Sequence, residues 1–84
     1  MDPGERATAI AFAAETNDRA AIPKLITLLD SDDPGTRLLA IEALERLTGE
    51  TFGYDYAASE ALRRGSIERW VQWQSRQPRA AGSS

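Results

Sequence analysis

A nonapeptide that occurs twice in nearly the same form, 31 positions apart, constrains the fold of this 84-residue chain more than any other feature. The first copy, DPGERATAI, begins at Asp2, and the second, DPGTRLLAI, begins at Asp33. A period of roughly 20–50 residues is typical of stacked supersecondary units, none of which can bury its apolar side alone. The repeat therefore predicts a stack of similar units.

Each copy carries the start signal of a helix. An Asp side chain caps free backbone N–H groups, and the Pro that follows it suits the first helical position. After Asp33 the chain is rich in helix formers until Gly49, a residue that commonly ends helices. At about 100° per residue, one broad face of this helix is apolar: Leu38, Ala40, Ile41, Leu44 and Leu47. We predict an equivalent helix from near Asp2 to Asn17.

Two further helices and a loop are predicted. Residues 18–32 carry a compact apolar stripe, and Pro23 suits a first turn, so a helix should begin near Ala20 or Ala21. Residues 57–77 are amphipathic, and the apolar half of this last helix consists of Leu62, Ser66, Ile67, Trp70, Val71 and Trp73. The aromatic segment between them lacks a partner strand, so we expect a loop.

The stretch IPKLITLLDSDDPGTRLLAIEAL resembles a short HEAT-type repeat of the PBS-lyase HEAT-like kind, with a leucine-rich first helix, an Asp-Pro turn, and Arg and spaced Ala in the second helix. Ser31 and Thr36 depart from the Asp and Val that are frequent in that family. The resemblance implies an all-α, α-solenoid-like, right-handed stack of about four helices.

The expected organisation is a single domain over residues 1–77. It comprises the second helix of a half repeat (2–17), a full repeat (18–49), and an aromatic loop with a capping helix (50–77). We expect residues 78–84 to form a disordered tail.

The repeated arginine, Arg6 in one copy and Arg37 in the other, is predicted to be structural. Arg37 falls inside the apolar arc of its helix, where an unpaired charge would be costly. Asp32 and Asp33 are the local candidates for its partner, and carboxylates of a neighbouring turn are another. A recognition role is the alternative, but the resemblance favours a cross-tie between turns.

The aromatic residues near the carboxyl end are predicted to cap the stack. An open stack leaves its last apolar face bare, and a terminal unit must cover it. We expect this cover from Phe52, Tyr54, Trp70 and Trp73, with Trp70 largely buried and Phe52 near it. Because Tyr and Trp often carry binding hot spots, the alternative is a ligand cradle built on Tyr54, Asp55, Tyr56 and Trp73.

Catalytic and metal chemistry find little support in the sequence. The chain has neither Cys nor His, which removes thiolates, the commonest general base and the commonest zinc ligand. The acidic turn DSDDPG fails as an EF-hand loop because Pro34 and Ile41 stand where that loop needs ligands. No phosphate loop or nucleophile elbow occurs. We predict no catalytic residue, no metal, no cofactor and no enzymatic activity.

The distribution of charge and hydropathy limits the classes of partner that we expect. Residues 1–59 hold eleven acidic and five basic residues, a net charge of −6, whereas residues 60–84 hold two and five, a net charge of +3. Duplex nucleic acid requires a clustered basic surface, so it is an unexpected partner. No apolar run has membrane-spanning length, and MDPGER lacks the plan of a signal peptide. We expect a soluble, cytoplasmic protein.

The HEAT-like resemblance implies a non-catalytic module for protein–protein interaction or scaffolding. Second helices of such repeats line a concave surface, and we expect a partner to contact Thr8, Glu15, Leu39, Glu42 and Arg46. The first helix lacks a partner around Ile10 and Phe12, which predicts a homodimer through that helix or a missing helix upstream. The alternatives are a nucleic-acid-binding or DNA-glycosylase-like protein and a bilin lyase or chaperone.

Overall fold

The computed structural model describes Ile10 and residues 18–77, and within them the chain is all-α, as predicted. A 3-10 turn, Arg19–Ala21, leads into α1 (Ile22–Leu28), which is followed by α2 (Pro34–Thr48) and α3 (Glu60–Ser75). No strand occurs in this part of the chain. The predictions for Arg6, Thr8, Phe12, Glu15 and the tail at 78–84 lie outside the described residues.

The helical segment that contains α1 begins at Arg19, slightly before the start predicted near Ala20 or Ala21. The Asp18 carboxylate accepts a hydrogen bond from the Ala20 N–H at 3.1 Å, so the 3-10 turn opens at Arg19 and α1 continues from it. Pro23 lies in the first turn of α1, where its missing N–H costs nothing. Three apolar side chains of α1 are buried: Ile22, Leu25 and Ile26.

Helix α2 begins and ends where predicted because the residues that determine its ends act on neighbouring backbone groups. The Asp33 carboxylate accepts hydrogen bonds from Thr36 N at 3.0 Å and from Thr36 Oγ1 at 2.7 Å. At the other end, Gly49 adopts φ 81°, and its N–H donates to the Glu45 carbonyl at 2.7 Å. Gly is favoured there because this left-handed conformation carries no Cβ penalty.

The core forms where α1 packs against α2. Seven residues of α2 are buried, and Ala40 and Leu44 are fully so. Full burial of a leucine contributes about 1.5–3 kcal/mol, so this face supplies much of the stability. Leu38 is only half-buried, although the helical wheel predicts it on the apolar face. Its sector faces outward with Glu42 and Glu45.

The segment between α2 and α3 is a loop, as predicted, and contains a tight turn. Tyr54 N donates to the Thr51 carbonyl at 3.1 Å, and the two central residues, Phe52 and Gly53, have φ values of 54° and 75°. Two successive positive φ values are characteristic of a type I′ turn. The turn reverses the chain and brings α3 back onto the core.

Helix α3 buries a narrower part of its apolar face than predicted. Only Ser66 and Trp70 are buried, whereas Leu62 is 70 % and Val71 51 % exposed. At about 100° per residue, Leu62 and Val71 lie about 80° and 100° to either side of Trp70. The helix contacts the core through a narrow sector centred on Trp70, so residues at the edges of the predicted arc stay in solvent.

Candidate functional site

The predicted cap exists as a cluster of three aromatic rings around Trp70. The Trp70 side chain is fully buried, and its indole N–H donates to the Thr51 carbonyl at 3.0 Å. The Phe52 ring meets it edge-on, with centroids 4.7 Å apart and planes at 86°, and Trp73 lies at 5.6 Å and 78°. Edge-to-face pairs add about 0.5–1.5 kcal/mol beyond their burial. The cluster fastens α3 to the loop.

Phe52 holds an unusual backbone conformation at this point. A left-handed conformation costs a residue with a Cβ atom about 1–2 kcal/mol. Two contacts with α3 offset that cost: the ring packs on Trp70, and the Phe52 carbonyl accepts from Arg69 Nη1 at 3.0 Å. The turn is therefore held by the helix that it positions.

The alternative ligand cradle is not formed by the residues proposed for it. Tyr54 is 7 % exposed, and its hydroxyl donates to the Leu29 carbonyl at 2.6 Å. The Asp55 carboxylate accepts from Ala57 N at 2.9 Å and shapes the following turn. Tyr56 is half-buried, and its carbonyl accepts from Arg37. The Tyr54 hydroxyl, the Asp55 carboxylate and the Tyr56 carbonyl are therefore engaged in holding the loop in place.

Burial raises the pKa of Tyr54 above its ordinary value of 10.0. Arg37 and Arg63 oppose this shift, whereas Asp30 and Asp55 add to it. The unfolded chain therefore loses the tyrosine proton at a lower pH than the folded chain does. The resulting stability is fully present below pH about 10, and it is lost as the pH rises from there through the folded-state pKa.

Tyr54→Phe should remove this pH dependence. The variant should lose about 1 kcal/mol at neutral pH, because the Leu29 carbonyl loses its donor. Its free energy of unfolding should then fall less steeply than that of the wild type above pH about 10. Urea titrations at successive pH values measure both quantities. Parallel curves for the two proteins would contradict the assignment, because every other titrating group is common to both.

Arg37 is buried, as predicted, but its partners are different from those expected. Its side chain is 7 % exposed; Nε donates to the Tyr56 carbonyl at 3.1 Å and Nη1 to the Ser31 carbonyl at 2.8 Å. The prediction of pairing with the carboxylate of Asp32 or Asp33 is wrong. Asp33 caps α2 through its carboxylate and Asp32 is exposed, so main-chain carbonyls satisfy the guanidinium.

The outer face of α2 combines half-buried leucines with exposed charges. Glu42 and Arg46 are exposed, as the predicted partner surface requires. Leu39, which was expected to face solvent at the centre of this surface, is half-buried and packs against the core. The sequence prediction missed Leu38 and Glu45, four residues before and three after Glu42. Helical spacing alone could have placed them on the same face.

The two carboxylates of this outer face outnumber its one arginine, Arg46, and neither is paired with it. The side chains of Glu42 and Glu45 form no hydrogen bond or ion pair with any residue that the structure describes. Free carboxylates beside half-exposed apolar side chains can bind a surface with apolar and basic groups. Within Ile10 and residues 18–77, no three Asp or Glu side chains cluster in a way that could hold a metal ion. No helix in these residues is long and apolar enough to cross a membrane.

The uncovered flank expected on the helix at residues 2–17 was predicted around Ile10 and Phe12. Ile10 is helical, 4 % exposed and part of the core, so the prediction that it lacks a covering partner is wrong. Phe12 lies outside the described residues. The homodimer through this helix stays a prediction, and Ile10 does not support it because its side chain is already buried in the core.

Comparison with protein families identifies a related one. A family model described as HEAT repeats matches residues 1–72. No curated protein and no solved structure matches the chain.

Proposed function

The chain belongs to the HEAT-repeat family, and from that premise we propose that it is a non-catalytic module that binds another protein through the outer face of α2. HEAT repeats generally mediate protein–protein interaction. Stacked helical repeats present continuous surfaces of this kind because each unit contacts only its neighbours and leaves one side free.

The outer face of α2 is the observation that carries this proposal. Leu38 and Leu39 are half-buried there, and Glu42, Glu45 and Arg46 are exposed around them. Protein interfaces typically combine an apolar centre with a polar rim that sets orientation and specificity. The face offers both in three helical turns, and its two free carboxylates favour a partner with basic residues.

The other proposed functions have less support. The exposed carboxylates of Glu42 and Glu45 would repel the phosphates of a nucleic acid, which disfavours the glycosylase-like alternative. No feature of the described residues favours bilin chemistry. A scaffolding role in the cytoplasm is part of the proposal, and the absence of cysteine is compatible with a reducing compartment.

Comparative capture from an extract of the native source tests the proposed surface. The bait proteins are the wild type, Glu42→Lys/Glu45→Lys, and the control Asp32→Lys/Glu68→Lys, which makes the same charge change at two exposed residues elsewhere. At least one protein held by the wild type and the control should be lost from the α2 variant. Identical captured sets from all three baits would refute binding through α2.

A further inference from the structure

Helix α3 carries a mostly exposed stripe beside the sector that packs on the core, and Trp73 forms the edge of the stripe nearest Trp70. At about 100° per residue, Leu62, Arg69, Trp73 and Arg76 fall within a sector about 60° wide; we call them the basic stripe. Leu62 and both arginines are exposed, and Trp73 is half-buried. Leu62 is the most exposed large apolar side chain among the described residues.

The basic stripe contains no acidic residue. Glu68 projects outside its sector, and Glu60 is bound to Arg64 at 3.0 Å on another side of the helix. Arg69 uses Nη1 on the Phe52 carbonyl, and the Arg76 side chain has no partner among the described residues. The stripe therefore presents net positive charge beside exposed apolar surface.

A complementary stripe lies on α2. Leu38, Glu42 and Glu45 also fall within about 60° on the helical wheel; we call them the acidic stripe. It pairs a half-buried leucine with two carboxylates that are free among the described residues. Each stripe combines apolar side chains with two charged ones over a sector of similar width, and the two stripes are opposite in sign.

We propose that the basic stripe of one copy docks on the acidic stripe of a second copy. Opposite charges would steer the encounter and set its register, and the contact would cover Leu62, which is otherwise exposed. Because each copy contributes a different face, the interface is heterologous, and every dimer keeps one free stripe of each kind. Association therefore continues beyond the dimer as the concentration rises.

Self-association would also regulate partner binding. The acidic stripe is part of the α2 face assigned to an outside protein, so a second copy on that face excludes this partner. In this respect the inference rests on the proposed function. The docking between copies needs no outside protein and is tested without one.

Sedimentation of the purified chain at several concentrations and two salt levels tests the docking. Self-association should weaken at least about tenfold between about 0.05 M and about 0.5 M salt, because salt screens exposed charges. Glu42→Gln/Glu45→Gln and Leu62→Gln/Arg76→Gln should each remove it. The control is Val71→Gln, at an exposed apolar residue outside the basic stripe, and it should associate like the wild type.

Mixing the two double variants gives the decisive result. Each retains the stripe that the other lacks, so the mixture should form a dimer with one copy of each and nothing larger. A wild type that stays monomeric at all concentrations overturns the proposal. Association that survives in both variants also overturns it and indicates contact through another surface, such as the helix predicted at residues 2–17. Loss in the α3 variant alone overturns docking on α2 and indicates a different acceptor.

The capture experiment tests the proposed function and the sedimentation experiment tests docking between copies, so either proposal can be refuted without the other. A protein that is lost from the Glu42→Lys/Glu45→Lys bait supports the proposed function even if the chain never self-associates. A mixed dimer supports docking between copies even if all baits capture the same set.

Discussion

Trp70→Ala should lower the free energy of unfolding by about 3–5 kcal/mol, which is most of the stability of a domain this small. Three losses combine. The fully buried ring leaves a cavity in the core. The Thr51 carbonyl loses its indole donor, and the left-handed Phe52 loses the ring that supports it. Urea unfolding followed by circular dichroism measures the change, and we expect a largely unfolded variant near body temperature.

Two companion variants show whether the loss comes from Trp70's position in the core. Trp73→Ala removes the same side chain from a half-buried position and should cost clearly less. Trp70→Phe keeps an aromatic ring against Phe52 but loses the hydrogen bond to Thr51, so its stability should be intermediate. If Trp70→Ala kept the full melting temperature, the tryptophan would not hold α3 to the core and a contact role would replace the structural one.

The bounds of α2 could be predicted because their causes are local. Asp33, Pro34 and Gly49 act on backbone groups within one turn, so the sequence alone contains the information. The buried face of α3 could not be predicted as well. The wheel ranks residues by side-chain type, but burial depends on where the helix touches the core. Ser66 is buried because it lies beside Trp70, and Leu62 is exposed because it does not.

Only part of the candidate binding surface could likewise be predicted from the sequence. Exposure of Glu42 and Arg46 follows from the helical period, which the sequence determines. The half-burial of Leu39 depends on the packing of neighbouring elements. The partners of Arg37 are the least predictable part, because they are main-chain carbonyls of Ser31 and Tyr56. A carbonyl belongs to every residue, so only the tertiary arrangement selects these two.

Arg37→Met should lower the free energy of unfolding by about 2–4 kcal/mol. Methionine retains most of the side-chain volume, but the Ser31 and Tyr56 carbonyls lose their donor, at about 1–3 kcal/mol for each buried group left unpaired. Arg37→Lys should not restore the wild-type stability. One ammonium group cannot reproduce the fixed spacing of Nε and Nη1, which bridge the two carbonyls. Urea unfolding of both variants measures the cost.

The matched control is Arg46→Met, the same substitution at an exposed position of the same helix, where stability should change little. A second readout comes from Tyr54. Arg37 lowers the pKa of this tyrosine, so Arg37→Met should move its ionisation in the folded protein to higher pH. A recognition arginine would behave in the opposite way. Arg37→Met would then keep the wild-type stability while losing captured proteins, and the cross-tie between the Ser31 turn and the Tyr56 loop would have to be abandoned.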